Sequence, residues 1–529
     1  MPRTHRTLWL LVGLILLAAA MRLYQIEAQS IWFDEGWSAY AAAQPTLVDA
    51  VNADLTNPPL YYVLLNLFAG AAGTSEFALR WFSALLGLLV IPLSAVLARR
   101  LFPMHKTNAA VFAGLLAAIL PLLWWAGQEA RMYTLLAVLV TLCAVAWHAL
   151  LRDRARRRAW LTLWAAELAL LYAHNTGPVI VLWLNAVTLI AWLGARSARR
   201  PDWRAWIGGQ LGVGLLWLPY FADRFLLLGE ANAAVSSAPV ISLDLLGQMW
   251  GAFWTGPWAM VGREPALVGL SLILLGVTPL IIPWRQVSAR WLVAHLLLLN
   301  GGLLAALIVL GNELHGRYLV MSAPLLAVLL GGALAHLRSR PSRVLALAPM
   351  LAAALLAVID GQNPDYGHDD ARALVRHYAE TLTADDAVVA WSYADRYELA
   401  YYWDRLGVAA RRIILPEGAD LEAALPLLPQ SGDVALNVWY TQRADYRGML
   451  GCLLGAGTVN TPETFTVYGM TSLRYRAPAL HAPRWTAVEV TFESGGAPIA
   501  RLEAAVLPES LPADRAQCLP LRLTLLQPV

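Results

Sequence analysis

An adjacent pair of carboxylates near the amino terminus is the first feature that could do chemistry. Asp34 and Glu35 lie in SIWFDEGWSAY (30–40), between tryptophan and phenylalanine residues. Aromatic residues are usual where a membrane meets water, whereas an acidic pair among them is less usual. We interpret the pair as carboxylates held in a cavity at the membrane interface and poised to act as a base. A solvated loop is the structural alternative.

Three further sets of polar residues follow apolar runs. They are Glu129 and Arg131 in WWAGQEARMY (124–133), His174 and Asn175 in HNTGP (174–178), and Glu313, His315 and Arg317 in NELHGRY (312–318). Arg317 is a candidate phosphate ligand, because a guanidinium binds phosphate oxygens bidentately. Structural alternatives stay open, since Glu129 and Arg131 could form a local pair that ends two helices and His174 could be a packing residue.

Glu167 differs from these residues because it lies within an apolar run. An ionised acid at the centre of a bilayer costs ~2.5–3.5 kcal/mol on insertion scales, so its side chain is expected to face the interior of a helix bundle. A functional and a structural role are both compatible with that position.

The composition requires that most of the chain face lipid. Of 529 residues 58% are hydrophobic and 14% are charged, and the mean hydropathy is +0.53. Soluble domains carry about 25% charged residues. We predict about eleven membrane spans, since the apolar runs approach the ~20 residues that cross a bilayer. They lie near 8–23, 80–98, 109–126, 132–151, 159–173, 177–194, 205–221, 266–283, 291–310, 318–337 and 344–359. The shorter run 60–72 is predicted to be a helix on the outer membrane surface.

Basic residues set the predicted orientation. The loops assigned to the inner side contain Arg99, Arg100, Lys106, Arg152, Arg154, Arg156, Arg157, Arg158, Arg196, Arg199, Arg200, Arg204, Arg285, Arg290, Arg338, Arg340 and Arg343. The outer loops contain few, so the positive-inside rule places the amino terminus inside and everything after residue 360 outside. The first run is expected to remain as a helix, because Met21-Arg22-Leu23 is no signal-peptide cleavage site. The net charge of +3 is too small to indicate nucleic-acid binding.

The chain divides into three predicted regions. They are a polytopic α-helical membrane domain (1–359), an extracytoplasmic α/β domain (360–478) and a β-rich module (479–529). Strands near 386–392, 411–416 and 434–440 alternate with a helix near 397–406, which indicates a parallel sheet. Strands near 485–492, 499–507 and 521–526 form the last module, and the early end of the chain leaves open that it is incomplete. Cys452 and Cys518 lie where a disulfide is permitted, and their pairing stays open.

The polar sets share one predicted face of the membrane. A carboxylate and an arginine at membrane depth suit a substrate that is half lipid and half phosphate-sugar. In such a transfer a hydroxyl attacks the anomeric carbon and the lipid phosphate leaves, so a carboxylate base and a cation that holds the departing charge suffice. Attack opposite the leaving group would invert the anomeric configuration.

An ordered series of motifs carries a family resemblance. The motifs are the Asp34-Glu35 pair, NPPLYYVLLNLF (57–68), SEFALRWFSALLGLL (75–89), QEARMYTLL (128–136) and HGRYLVMSAP (315–324). The chain resembles bacterial membrane glycosyltransferases of the GT-C class, in the branch that contains protein mannosyltransferases and lipid A aminoarabinose transferases. The resemblance implies a GT-C fold and transfer of a sugar from a polyprenyl-phosphate carrier.

The resemblance also implies roles for residues. It makes Asp34 the catalytic base with Glu35 beside it, and Glu129 a second acid of the site. Carrier-phosphate ligands would be Arg131 and Arg317, while Pro58, Pro59 and Tyr61 would shape the surface helix beside the acceptor groove. Asn57 is a candidate substrate-binding residue. Family members often have histidine at this position, so a role that depends on the histidine imidazole is in doubt for this protein. His174 and His315 complete the predicted substrate-binding set.

Substrate and mechanism leave alternatives open. The donor is expected to carry a hexose such as mannose, and the acceptor is a protein, a glycolipid or a polysaccharide. No cofactor or metal is expected, although Asp34 and Glu129 could hold a divalent cation. A transporter or flippase of lipid-linked saccharides is the main rival, and a non-catalytic scaffold for envelope assembly is the other.

Overall fold

A computed structural model of the protein divides the chain into two compact units. It describes residues 3–194, 200–226, 239–257, 265–362, 368–391, 397–415, 425–429, 431–439, 448–456, 458, 461–478, 485–494, 497–505 and 521–526. One unit, here the membrane unit, comprises Met1–Ala28 and Trp37–Tyr366. The other, the C-terminal unit, comprises Gly367–Val529 and a short piece from near the amino terminus, Gln29–Gly36.

Helices make up the described part of the membrane unit. They are α1 (Arg3–Leu23), α2 (Phe33–Ala42), α3 (Leu47–Asn52), α4 (Leu60–Ala72), α5 (Glu76–Leu101), α6 (Lys106–Ile119), α7 (Pro121–Ala126), α8 (Tyr133–Leu150), α9 (Arg157–Ala173), α10 (Gly177–Gly194), α11 (Trp203–Phe221), α12 (Leu243–Thr255), α13 (Pro265–Ile281), α14 (Val287–Leu310), α15 (Ala323–His336) and α16 (Arg340–Asp360). The unit boundary falls within α2, after Gly36. Ser75, Asp202 and Ser339 cap α5, α11 and α16, since each side-chain oxygen accepts a backbone N–H of the first turn.

Each predicted span coincides with a helix or with two consecutive helices. Within the described ranges, five helices are long and apolar enough to cross a membrane by length and composition, namely α5, α8, α10, α14 and α16. The protein is therefore membrane-embedded, and the remaining spans stay predictions. The predicted span 109–126 is split into α6 and α7, because Pro121 begins a new helix and restricts the residue before it.

A buried arginine holds the break between α6 and α7. The Arg22 side chain, fully enclosed at the end of α1, donates to the carbonyl oxygens of Ala118 at 3.2 Å and Leu123 at 3.1 Å. Gly127 leaves room for it, because a Cβ there would lie 2.7 Å from Arg22 Nε. The arginine satisfies carbonyls that the break in the helix exposes, and so fixes the segment that leads to Glu129 and Arg131.

The C-terminal unit contains a five-stranded sheet with the order β2-β1-β3-β5-β4. Its strands are β1 (Ala387–Trp391), β2 (Arg411–Leu415), β3 (Val434–Asn437), β4 (Glu463–Val467) and β5 (Met470–Tyr475), and the described helices are α17 (Ala371–Thr381), α18 (Glu398–Trp403) and α19 (Met449–Ala456). Strands β1, β2 and β3 are parallel, as predicted. The sheet as a whole is mixed, because β4 and β5, which were not predicted, form an antiparallel hairpin that pairs with β3. Its two-residue turn uses Gly469 at φ 75°.

Three antiparallel strands form a second sheet, in the order β6-β7-β8. They are β6 (Trp485–Ser494), β7 (Ala497–Ala505) and β8 (Leu521–Leu525), close to the predicted bounds. The separation of this module from the α/β domain stays a prediction, since both sheets belong to one compact unit. Cys452 is disulfide-bonded and Cys143 is free and buried, while Cys518 lies outside the described residues.

Candidate active site

Glu129 and Arg131 lie in the short non-helical segment between α7 and α8. Both side chains are 4% exposed, so neither is a solvated loop residue. The Arg131 guanidinium donates through Nη1 to the Tyr62 hydroxyl at 2.8 Å. A buried charge needs such polar contacts, and this one links the segment to the surface helix α4.

Asp54 organises the chain that leads into α4. Its Oδ1 accepts from the backbone N–H groups of Thr56 at 2.8 Å and Asn57 at 3.2 Å, which makes an Asx turn. Its Oδ2 accepts from the Asn57 side-chain amide at 2.9 Å and from the Tyr62 hydroxyl at 2.6 Å. Because Tyr62 also accepts from Arg131, the buried carboxylate is joined to that guanidinium through one phenol.

His174 lies in the tight turn between α9 and α10. The Thr176 backbone N–H donates to His174 Nδ1 at 3.0 Å, so this nitrogen carries no proton and the neutral ring holds its proton on Nε2. Burial, together with the positive charges of Arg131 and Arg317, lowers the pKa of His174 to about 3. The turn also requires glycine, because a Cβ on Gly177 would lie 2.4 Å from the Leu170 carbonyl oxygen.

Arg317 belongs to a 3₁₀ turn, Gly316–Met321, that precedes α15. Its side chain is half-buried and acts electrostatically on His174. The Tyr318 ring lies edge-on to two imidazoles, with centroids 5.8 Å from His174 and 5.5 Å from the exposed His315. Gly316 allows the turn to approach the chain after α12, since a Cβ there would lie 2.6 Å from the Pro257 carbonyl oxygen.

Tyr61 and Tyr62 are both fully buried but differ in their partners. The Tyr61 hydroxyl pairs with Ser83 at 2.7 Å, and Ser83 donates to the Arg131 carbonyl oxygen at 3.1 Å. Tyr61 therefore supports the backbone of the segment, whereas Tyr62 contacts the guanidinium itself. A role of Tyr61 beside an acceptor groove stays a prediction.

Asp34 and Glu35 belong to the C-terminal unit, in the first turn of α2. Asp34 is half-buried and Glu35 is buried. The amino-terminal end of a helix stabilises negative charge, and a role of these carboxylates in catalysis stays a prediction.

Glu167 is held in a polar network within the helices. Gln210 Nε2 donates to both of its carboxylate oxygens, at 3.0 and 2.9 Å. The Asn185 amide in turn donates to Gln210 at 2.9 Å. As expected, this acid faces other helices rather than lipid.

The membrane unit thus brings together Arg131, His174 and Arg317, with Asn57 joined to them through Asp54 and Tyr62. Sequence reasoning missed Asp54, Tyr62 and Tyr318. Asp54 could have been found, because Asp-Leu-Thr-Asn before two prolines is a turn signal, whereas nothing local distinguishes Tyr62 from Tyr61. Among the residues that the structure describes, no group of three or more His, Cys, Asp and Glu side chains could hold a metal ion.

Solved structures of membrane proteins share this fold. ArnT from Cupriavidus metallidurans bound to undecaprenyl phosphate matches with a TM-score of 0.59 and 16% identity, over 89% of this chain and 99% of that one. Its apo structure matches with a TM-score of 0.54 and 16% identity, over 88% and 97%. The Archaeoglobus fulgidus oligosaccharyltransferase in complex with Zn and sulfate matches with a TM-score of 0.47 and 13% identity, over 88% and 72%. No family model and no curated protein matches the sequence. The expected GT-C fold is confirmed.

Proposed function

We propose that this protein transfers a sugar from a polyprenyl-phosphate carrier to an acceptor at the outer face of the cytoplasmic membrane. The fold supports this proposal, because ArnT has the same fold and is solved with undecaprenyl phosphate bound. The donor sugar is a hexose such as mannose, and the acceptor is a protein, a glycolipid or a polysaccharide.

One observation within the membrane unit carries the proposal. Arg317 precedes Tyr318, whose ring centroid lies 5.8 Å from that of His174. The charges of Arg131 and Arg317 both help to lower the pKa of this buried imidazole, which is neutral and adds no charge of its own. Two guanidinium groups at the ends of apolar helices suit a phosphate with a hydrocarbon tail. The Nε2–H of His174 supplies a further donor for a phosphate or sugar oxygen.

The reaction is a displacement at the anomeric carbon. The acceptor hydroxyl forms a bond to that carbon, and Asp34 takes its proton. The bond from the anomeric carbon to the phosphate oxygen breaks, and its electron pair leaves with the carrier phosphate, whose charge Arg131 and Arg317 stabilise. Attack opposite the leaving group inverts the configuration. Glu129 and Glu35 stabilise positive charge on the sugar ring.

The proposal is tested with the purified protein in liposomes and radiolabelled polyprenyl-phosphate hexoses, mannose included. We expect the wild type to release the sugar from its carrier or pass it to an acceptor. Asp34→Asn is expected to lose at least about 100-fold in rate, as removal of a general base does. The matched control is Asp49→Asn, because Asp49 is an exposed acid in the first turn of α3 and should leave the rate unchanged.

Two results would contradict the proposal. If Asp34→Asn turned over as fast as the wild type, Asp34 would not be the base. If both proteins moved intact donor to the opposite leaflet without breaking the sugar–phosphate bond, the protein would be a flippase. Activity in excess chelator would support the expected absence of a metal.

A further inference from the structure

We propose that the C-terminal unit positions the catalytic carboxylate, with Tyr402 and Arg372 as positioning residues. The inference rests on the proposed function, since it gives a role to the segment that carries Asp34. That segment, Gln29–Gly36, is grouped with the C-terminal unit although it is separated from it by more than three hundred residues of membrane unit.

Hydrogen bonds hold the first half of the segment. The Ile31 backbone N–H donates to the Tyr402 hydroxyl at 2.8 Å, and Ile31 itself is fully buried. Arg372 contributes twice, because its Nη2 donates to the Gln29 carbonyl oxygen at 2.8 Å and its backbone N–H donates to Ser30 Oγ at 3.1 Å. The backbone immediately before Asp34 is therefore fixed by groups of α17 and α18.

Aromatic contacts continue the attachment along the segment. The Trp32 ring stacks on His368, with centroids 4.4 Å apart and planes 4° from parallel. The Phe33 ring packs against Trp439 at 5.6 Å. Such aromatic pairs contribute about 0.5–1.5 kcal/mol beyond the area they bury. Trp32 and Phe33, the two residues that precede the acidic pair, are therefore both anchored.

Gly36 closes the attachment on the other side of the acidic pair. A Cβ at this position would lie 2.9 Å from the Glu398 backbone nitrogen and 2.9 Å from Tyr397 Cβ. The first turn of α2, which belongs to the C-terminal unit, therefore packs directly against the backbone at Tyr397 and Glu398 of the same unit. Asp34 and Glu35 lie between two fixed points, which leaves little freedom to the backbone that bears them.

A carboxylate base works only where its oxygen reaches the attacking hydroxyl. A misplacement of about 1 Å can cost up to about 100-fold in rate. Loosening the segment should therefore lower kcat, while KM for a donor bound through Arg131 and Arg317 stays the same. A contact that merely stabilised the fold would change thermal stability without separating kcat from KM.

The test compares Tyr402→Phe with Tyr401→Phe in the full-length protein in nanodiscs. Both tyrosines are buried and adjacent on α18, and the hydroxyl of Tyr402 accepts the Ile31 amide. Tyr402→Phe is expected to speed hydrogen exchange of a peptide covering residues 29–36 and to lower kcat about tenfold, with KM within about twofold of the wild type. Tyr401→Phe should change neither.

Two further variants keep the test independent of one hydroxyl. Gly36→Ala should speed exchange of the same peptide and lower kcat, because its Cβ displaces the first turn of α2. Arg372→Ala should also lower kcat. Arg372→Lys should recover much of that lost kcat, since an ammonium can still donate to the Gln29 carbonyl oxygen.

The outcomes separate this inference from the proposed function. Unchanged exchange in Tyr402→Phe and Gly36→Ala, or faster exchange with unchanged kcat, would overturn the positioning role while leaving the glycosyltransferase reaction intact. If the wild type consumed no donor, the proposed function would fail and the catalytic part of this inference with it.

Discussion

Buried polar side chains at the candidate site are either uncharged or hydrogen-bonded to a polar partner. His174 is both. Its Nδ1 accepts a backbone N–H, which a protonated ring could not do. Burial and two nearby arginines keep its pKa near 3, far below the ~6.5 of a free histidine. The ring therefore stays neutral at neutral pH.

The depressed pKa of His174 predicts how stability depends on pH. Between pH 6.5 and about 3 the unfolded chain binds a proton at this ring that the folded chain does not, so the wild type loses stability as the pH falls through that window. The loss approaches ~1.4 kcal/mol per pH unit from this group. His174→Gln has no such proton, so its thermal midpoint in detergent should fall less between pH 7.5 and 5.0. Parallel losses in the two proteins would show that His174 titrates normally.

At the scale of elements, close packing of α6 against α15 depends on a glycine. A Cβ on Gly331 would lie 2.4 Å from the Ala113 backbone nitrogen. Small residues let membrane helices approach in this way. The contact matters for the site because α15 follows the turn that carries Arg317, and α6 leads through the break at Pro121 to Arg131.

Gly331→Ala should therefore destabilise the protein by about 1–3 kcal/mol, as overpacking does. Gly301→Ala is the matched control, since Gly301 is exposed in α14 with nothing within 4 Å of an added Cβ. There the better helix propensity of alanine makes the change neutral or favourable. Thermal unfolding in one detergent measures both. Equal midpoints for the two variants would argue against close packing at Gly331.

Elements with a local pattern were predictable, and those made by distant partners were not. Every predicted span coincides with helix, because a long apolar run in the sequence directly indicates a membrane helix. The hairpin β4–β5 was missed, since Thr464 and Thr466 face outward on a half-exposed edge strand and give no apolar run. The link of Asp54 to Arg131 through Tyr62 was missed for a related reason, as it joins residues that no sequence spacing relates.

At the scale of the whole molecule, the basic residues predict the orientation of the chain in the membrane. The basic loops place the amino terminus inside and the C-terminal unit outside. Alkaline phosphatase fused after Val529 should be active in cells, and the same enzyme inserted between α8 and α9, among Arg152, Arg154 and Arg156, should be inactive. The reverse pattern would mean that one span early in the chain is misassigned, since each span inverts every later loop.

The membership of Gln29–Gly36 in the C-terminal unit has a consequence for biosynthesis. The Ile31 amide meets its acceptor on a residue 371 positions later. At ~5–20 residues per second, the ribosome reaches Tyr402 ~20–75 s after Ile31. Throughout that interval the membrane helices can insert while the acidic segment lacks the partners that fix it. The last region to be translated completes one of the first, so a chain interrupted before Tyr402 lacks the hydroxyl that accepts the Ile31 amide and holds the backbone before Asp34 and Glu35.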